Sequence, residues 1–310
     1  MTARKVLALF ELACFAICLS GCTRQPRLST DKTQRAESPQ TTAIRVVSLA
    51  PSITEILNDL HATSCIVGVT TADRMGRLPS QVHSVGTLLQ PSREAILACN
   101  PQLVIAVQGM ADVSGQWLKS AHIKLLLVPD GSLEDVFRSI LQIGASVNRL
   151  SLARRLVRKM QAEISAVRFI TSALQPPRVL PIYQMNPLYT SANTSFVADA
   201  IRAAGGGCLT SGVSPTGETT PEVIVQYQPD VILCDKRIAH SAVNQSHWLA
   251  KVPAVHDNHW YWLNNDREAL VRPTPRLAVA IAHLACYLHP RHAAAITHAI
   301  LHIDHATSRS

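Results

Sequence analysis

The chain has 310 residues, of which 47% are hydrophobic and 16% are charged. This composition supplies enough apolar side chains for a large core and excludes global disorder. The formal net charge is +8, but no basic run is interleaved with aromatic residues, so nucleic-acid binding is not expected. The positive charge is consistent with binding to an acidic ligand or an anionic membrane surface. It is equally consistent with an ordinary protein that has a basic surface. The length allows two domains of roughly 100–150 residues each.

The N-terminus has the pattern of a targeting segment. Two basic residues precede an apolar run, 6–19, which is shorter than the about 20 residues that span a bilayer. The sequence Leu-Ser-Gly-Cys follows and ends at Cys22, which resembles a bacterial lipoprotein signal, whose cysteine becomes the lipidated first residue. We predict a signal peptide over 1–21, lipidation at Cys22, a polar tether over 22–43 and a body in the periplasm or otherwise outside the cytoplasmic membrane. An ordinary signal peptide or a short anchor helix is the alternative.

The residues after the tether alternate between strand and helix patterns. Apolar, β-branched runs predict strands at 44–50, 66–70, 103–107 and 124–129. Capped or amphipathic segments predict helices at 51–60, 92–99 and 132–147. This alternation is typical of an α/β lobe with a mostly parallel sheet, which we assign to 44–148.

A long helical pattern separates this lobe from a second one. It begins at 149, contains neither Gly nor Pro, and ends before Pro176 and Pro177. The alternation then resumes, with strands predicted at 178–183, 231–235 and 260–263 and helices at 195–206 and 275–288. We therefore predict a stiff connecting helix over 149–175, a second lobe over 176–290 and a C-terminal tail over 291–310.

One segment in each half repeats the same pattern. Residues 92–105 read SREAILACNPQLVI, and residues 220–233 read TPEVIVQYQPDVIL. Each begins with a hydroxyl residue that can cap a helix, continues with a glutamate (Glu94 or Glu222) and a proline, and ends in an apolar strand pattern. The separation is too long for a solenoid, whose period is roughly 20–50 residues. The repeat therefore predicts one helix–turn–strand unit in each of two lobes.

Five further stretches occur in a characteristic order. They read RVVSLAPSITEIL (45–57), VGVT (67–70), NPLYTSANTSFVADAIRAAGG (186–206), WLAKVPAVHDNHWYWLNND (248–266) and RPTPRLAVAI (272–281). With the repeated Glu/Pro units, they make residues 44–290 resemble the bacterial ABC-transporter substrate-binding proteins that carry vitamin B12, haem and ferric siderophores. The resemblance implies an α/β fold of two Rossmann-like lobes joined by one long α-helix, the class III periplasmic-binding-protein fold, with ligand in the cleft.

The same resemblance implies a function and its partners. The chain would be a binding component without a cofactor or catalytic residues, which captures an iron chelate or a corrinoid. It would deliver this cargo to a permease, of two subunits or a homodimer, with its ATPase. Glu94 and Glu222 would then dock onto arginines of the permease. The alternative for these acids is simple stabilisation of the helix N-terminus in which each lies.

Candidate ligand-binding residues follow from the rule that such lobes bind ligands at the carboxyl ends of their strands. They are Ser52, Thr71, Arg74, Gln108 and Met110 in the first lobe, and Tyr183, Asn186, Tyr189, Trp262 and Arg267 in the second. Tyr and Trp suit the face of a macrocycle, and the arginines suit carboxylates or a negatively charged chelate. The aromatics expected of a cobalamin binder are replaced by Leu88, Val107 and Thr216. Vitamin B12 itself is thus disfavoured, and haem, a ferric siderophore or another corrinoid stays open.

Cysteine and histidine add two minor expectations. Cys208 and Cys286 are the candidate disulfide pair, whereas three further body cysteines lie in apolar segments. His298, His302 and His305 share one helix face that can hold a divalent ion, but an exposed tail helix is the simpler interpretation, and no metal site is predicted.

Two other functional classes remain as alternatives. A secreted α/β hydrolase is one, although no G-x-S-x-G nucleophile motif occurs in the chain. A binding protein that feeds a sensor rather than a transporter is the other.

Overall fold

Five parallel strands form the sheet of the first lobe. They are β1 (Val46–Ser48), β2 (Ile66–Val69), β3 (His83–Ser84), β4 (Leu103–Val107) and β5 (Lys124–Val128), in the spatial order β3-β2-β1-β4-β5. The central strands β1 and β4 are buried at every position, as expected of a parallel sheet covered on both faces. The four predicted strands of this lobe are confirmed. Strand β3 was not predicted, because its two residues are exposed and carry no apolar pattern.

This computed structural model describes residues 44–73, 78, 81–109, 116–238 and 246–307, apart from the side chains of 265, 266 and 304–307. The described residues belong to a compact unit, Ala43–Ser310, with its own hydrophobic core. A segment with its own core is expected to fold without the residues that precede it.

The helices of the first lobe are α1 (Pro51–Asp59), α2 (Arg93–Ala98), α3 (Gln116–Ser120) and α4 (Leu133–Ser146). Three of them, α1, α2 and α4, begin at the signals read from the sequence, and the short helix α3 was not predicted. The Ser92 side chain accepts from the Ala95 amide at the start of α2, and Ser132 and Asp135 form a reciprocal capping box at the start of α4. These caps satisfy amides that have no partner inside the helix, which fixes where each helix begins.

Helix α5 (Leu150–Thr171) connects the two lobes. Its buried face recurs every three or four residues, at Ala153, Val157, Met160, Ile164 and Val167. The opposite face is exposed along the helix. The predicted connecting helix is confirmed, and it ends a few residues before the expected boundary at 175.

The second lobe repeats the architecture of the first. Strands β6 (Arg178–Ile182), β9 (Gly207–Cys208), β10 (Val231–Cys234) and β11 (Trp260–Trp262) form a parallel sheet in the order β11-β10-β6-β9, and β7 (Gln184–Met185) pairs with β8 (Leu188–Tyr189) in an antiparallel hairpin. Helices α6 (Phe196–Ala203), α7 (Pro221–Tyr227), α8 (Pro253–His256) and α9 (Leu277–Leu288) surround it. Strand β11, predicted at 260–263, lies at the edge of the sheet.

The C-terminal segment differs from its prediction. Residues 291–310 were expected to be a tail, but α10 (Ala293–Thr307) buries Ile296 and Ile300 in the main core. The apolar positions of this helix recur at helical spacing, and they are covered by the same cluster that contains α5 and α9. This segment is therefore part of the folded body up to at least Ile300.

Both lobes share one hydrophobic cluster. It contains Val46 and Ile105 of the first sheet together with Val179 and Leu233 of the second, and the buried face of α5. Polar contacts also cross between the lobes. The Leu133 amide donates to Asp199 Oδ2 at 3.0 Å, and Arg272 Nη1 lies 2.6 Å from Glu55 Oε1.

The sequence repeat corresponds to a structural repeat. In the first lobe α2 leads through Pro101 into β4, and in the second α7 leads through Pro229 into β10. The residue before each proline, Asn100 or Gln228, has a positive φ, at 45° and 50°. The predicted helix–turn–strand unit in each lobe is confirmed.

An arginine at the start of the neighbouring strand anchors each unit. Arg45 Nη2 donates to Cys99 O, and its backbone amide donates to Gln102 Oε1 at 2.9 Å. Arg178 Nη1 donates to Tyr227 O, and its backbone amide donates to Asp230 Oδ2 at 2.7 Å. The two turns are therefore held by matching contacts.

The expected disulfide between Cys208 and Cys286 is not formed, and both are free thiols. Their sulfur atoms have different neighbours: Cys208 Sγ donates to Ala198 O at 3.4 Å, and Cys286 Sγ donates to Ala293 O at 3.7 Å. The pair was expected only because the other three body cysteines lie in apolar segments. Within the described part of the chain, no helix is both long and apolar enough to cross a bilayer.

Candidate ligand-binding site

A cavity of about 690 Å³ opens in the second lobe where β6 ends. Among the described residues its lining combines hydroxyl groups with apolar side chains and has no charged member: Tyr183, Gln184, Tyr189, Thr190, Ser191, Ala192, Ser195, Phe196, Val197, Pro215, Thr216 and Val271. The volume lies in the range of small-molecule sites, roughly 300–1,000 Å³. The position at a strand carboxyl end is the one expected for a ligand site in a parallel α/β sheet.

The β7–β8 hairpin and the first turn of α6 shape this cavity. Tyr183 follows β6 directly, and its amide donates to Tyr189 O at 3.0 Å, which brings the two tyrosines to the same wall. The Ser195 side chain caps α6 by accepting from the Ala198 amide. The partial positive charge of this helix end favours oxygen acceptors on a ligand.

Tyr183 is the central polar group of the wall. Its hydroxyl lies 2.6 Å from Ser191 Oγ, and burial raises the pKa of Tyr183 to about 12. The phenol therefore stays protonated at neutral pH, so it can donate a hydrogen bond but does not supply a negative charge.

Of the eight predicted ligand-binding residues that the structure describes, Tyr183 and Tyr189 line the cavity. Asn186 is exposed in the turn of the hairpin, where its peptide bond to Pro187 is cis, and it does not line the cavity. Trp262 stacks on Trp260 with the ring centroids 5.4 Å apart, and Arg267 lies over the Tyr261 ring at 4.8 Å. The ligand contacts of these three residues stay predictions.

The first-lobe candidates lie where parallel strands end. Ser52 is in the first turn of α1 after β1, Thr71 follows β2, and Gln108 directly follows β4. Because β2, β1 and β4 are neighbours in one parallel sheet, these residues lie along one edge. Arg74 and Met110 lie outside the described residues.

An ionic cluster joins the lobes near this edge. Arg272 contacts both Glu55 and Glu268, the latter at 2.8 Å, and Val271 beside it lines the cavity. Both carboxylate oxygens of Asp73 are buried, and neither accepts a hydrogen bond from the described residues. Burial raises the pKa of Asp73 to about 6, the Thr54 side chain opposes this shift, and the nearby Glu55 carboxylate adds to it.

Sequence reasoning missed most of the hydroxyl lining. Thr190, Ser191 and Ser195 belong to one stretch, TSANTS (190–195), whose density of hydroxyl residues after a strand was the available signal. Thr216 and Val271 come from distant segments, and only the fold brings them to the cavity.

The two repeated acids are exposed in equivalent positions. Glu94 lies in the first turn of α2 and Glu222 in the first turn of α7. Hydrogen bonds from backbone N–H groups, and then from the Ser92 and Thr220 hydroxyls, lower the pKa of both carboxyls. Each lobe therefore presents one fully ionised acid at neutral pH.

The histidine group is only partly described. His298 Nε2 and His302 Nε2 lie 3.1 Å apart on the exposed side of α10, whereas the His305 side chain lies outside the described residues. Among the side chains that the structure does describe, no group of three or more His, Cys, Asp or Glu is arranged to hold a metal ion.

Comparison with known sequences identifies relatives over most of the chain. A family model described as periplasmic binding protein matches residues 46–266. The ABC transporter substrate-binding lipoprotein YvrC of Bacillus subtilis is 26% identical, over 79% of this chain and 80% of that protein. The vitamin B12-binding protein of Vibrio parahaemolyticus is 24% identical, over 76% of this chain and 86% of that protein.

Solved structures show the same fold. The periplasmic haem-binding protein RhuT of a Roseiflexus species has a TM-score of 0.68 at 25% identity, covering 80% of this chain and 98% of that one. The vitamin B12-binding protein BtuF of Vibrio cholerae has a TM-score of 0.68 at 21% identity, covering 79% and 96%. The predicted architecture of two lobes on one helix is confirmed, and this chain belongs to the periplasmic binding protein family.

Proposed function

We propose that this chain is the substrate-binding component of an ABC importer, which captures a corrinoid or an iron chelate such as haem or a siderophore. The observation that carries the proposal is the cavity at the end of β6 in a chain of this family. Relatives named for vitamin B12 and for haem support a large, metal-containing ligand. The role is transport, so we propose no catalytic step.

The lining favours recognition through hydrogen bonds and apolar contact. Tyr183, Ser191 and Thr216 supply hydroxyl groups, and Phe196 and Val271 supply apolar area. A ring system with polar groups at its edge uses both kinds of contact. Because the two lobes share one core, we expect capture with little lobe movement.

Titration of tryptophan fluorescence tests this function directly. Cobalamin, cobinamide, haem and several ferric siderophores are added to the purified protein, and at least one is expected to bind below about 10 μM, roughly 7 kcal/mol. Phe196→Ala should weaken that binding, because Phe196 lines the cavity. Phe169→Ala is the matched control, because Phe169 is 85% exposed and lies outside the lining. If no member of the set binds, the ligand class is wrong.

We also propose that Glu94 and Glu222 dock the protein onto its permease. One exposed, ionised acid on each lobe suits a partner with two similar subunits, and charged contacts of this kind set orientation and recognition. The body would be held near that partner by a lipid on Cys22, with its folded part in the periplasm or otherwise outside the cytoplasmic membrane.

Charge reversal separates docking from ligand capture. The Glu94→Lys/Glu222→Lys variant is expected to abolish uptake while the ligand affinity stays at the wild-type value. Glu134→Lys is the control, because Glu134 is also an exposed acid in the first turn of a helix. Uptake that survives the double reversal would remove the docking role from these acids.

A further inference from the structure

The exposed face of α5 carries a concentration of positive charge. Arg154, Arg155, Arg158 and Arg168 all lie on it, and we refer to these four residues as the basic stripe. The only acid of the helix, Glu163, is buried on the other face, where it lies 3.7 Å from Lys159. Within the described residues, no member of the basic stripe forms an ion pair. The four positive charges of the basic stripe are therefore not neutralised by any described acidic side chain.

An aromatic side chain lies on the same face. Phe169 follows Arg168 directly and is 85% exposed, the largest exposed fraction among the large hydrophobic residues described. One exposed apolar residue is ordinary by itself. Its position beside basic residues is informative, because basic side chains are attracted to anionic headgroups and an aromatic ring is stable at the same depth.

We propose that the basic stripe and Phe169 bind the anionic surface of a lipid bilayer. Arginine side chains contact phosphate groups through several donors, and an aromatic ring is stable at the level of the headgroups. The helix is roughly 33 Å long, and all four arginines are exposed along it.

The predicted tether makes this contact sterically possible. Residues 22–43 span at most roughly 70 Å when extended, about twice the length of α5. A lipidated Cys22 can therefore stay in the bilayer while α5 lies on its surface. The contact would orient the tethered body, which goes beyond ligand capture and delivery.

Vesicle partitioning of the body, Ala43–Ser310, tests the proposal without the signal segment. We expect binding to vesicles that contain about one third phosphatidylglycerol and no binding to pure phosphatidylcholine. Each basic residue at such a surface strengthens binding about fivefold, and salt screening reduces this factor. The Arg154→Gln/Arg158→Gln/Arg168→Gln variant should therefore lower the partition coefficient at least about tenfold.

Two further variants separate a lipid site from general charge attraction. Lys119→Gln/Lys124→Gln/Lys251→Gln removes the same net charge from exposed positions on other elements and should leave most of the binding intact. Phe169→Ser should weaken vesicle binding several-fold at unchanged charge. Equal losses from the two triple variants, or no effect of Phe169→Ser, would overturn the proposal, as would equal binding to neutral vesicles. Thermal unfolding checks that every variant is folded.

Discussion

At the scale of single residues, Asp73 is the least satisfied polar group near the cleft. Its carboxylate is buried without a hydrogen-bond donor among the described residues, beside the Glu55–Arg272 contact that joins the lobes. A charged carboxylate in this position costs free energy, because burial removes its water and Glu55 repels it. The folded protein therefore favours the protonated form of Asp73 up to about pH 6.

This environment predicts a pH-dependent effect of Asp73→Asn. The pKa of Asp73 is about 6 in the folded protein and near 4 in the unfolded chain. Between these values the folded state binds more protons, so the contribution of Asp73 to the free energy of unfolding falls as the pH rises from 4 to 6. The Asp73→Asn variant lacks this loss. Relative to the wild type, its free energy of unfolding should therefore increase as the pH rises, as measured by urea unfolding at pH 5 and pH 7.

Asp230→Asn provides the contrasting control. Hydrogen bonds from Arg178 lower the pKa of Asp230, so its stabilising effect is already complete above pH 4 and is lost only as the pH falls through the folded pKa. The difference between this variant and the wild type should be constant between pH 5 and pH 7. A constant difference for Asp73→Asn as well would contradict the assigned pKa.

At the scale of elements, the turn at Gly217 holds one side of the cavity. Gly217 has a φ of +94°, and its carbonyl oxygen accepts from the Thr190 amide at 2.8 Å. A Cβ at this position would collide with the carbonyl oxygen of Thr190. The contact ties the turn that carries Thr216 to the hydroxyl-rich wall that carries Thr190.

Gly217→Ala is therefore expected to destabilise both the protein and its ligand site. The strained backbone alone costs about 1–3 kcal/mol, and the collision with Thr190 adds to this. Gly109→Ala is a matched control, because Gly109 has a φ of +80° but no described atom lies within 4 Å of the position that its Cβ would occupy. Urea unfolding should show the larger loss for Gly217→Ala, and that variant should also weaken ligand binding. Equal losses of unfolding free energy in the two variants would mean that the collision with Thr190 is relieved at no cost.

Elements with a continuous apolar pattern were predictable from the sequence, and short polar ones were not. Strands β1 and β4 and helix α5 carry their own signals, since burial demands β-branched runs in the strands and a periodic face in the helix. The β7–β8 hairpin has two residues per strand, so no alternation can mark it. It nevertheless positions Tyr189 in the cavity wall, and Val271 joins that wall from a distant segment. Such contacts depend on how elements pack, which single-sequence patterns do not contain.

At the scale of the whole molecule, the two lobes share one hydrophobic core. The main hydrophobic cluster runs from β1 through α5 to β6 and β10, and two polar contacts cross the junction. Separating the lobes would expose apolar surface on both, at about 25 cal/mol per Å². The predicted division at 148 and 176 therefore marks a change of sheet rather than a boundary between independent folding units.

A shared core predicts one cooperative unfolding transition. Trp117 reports on the first lobe and Trp262 on the second, so Trp117→Phe leaves a fluorescence signal from the second lobe alone. Its urea midpoint should coincide with the midpoint from far-UV circular dichroism, which reports on both lobes. Two separated midpoints would show that the lobes unfold independently.

The matched anchors of the two repeat units differ in chemistry. Among the described residues, the Arg45 guanidinium donates only to backbone carbonyls, and its backbone amide meets the neutral Gln102 side chain, whereas the Arg178 guanidinium meets the carboxylate of Asp230 at 3.0 Å. Dissolved salt screens the second contact and has little effect on the first. Although the two turns have the same backbone geometry, α7 and its Glu222 should therefore lose rigidity in concentrated salt while α2 and its Glu94 do not. A rise in ionic strength would therefore loosen the helix–turn–strand unit of the second lobe more than that of the first.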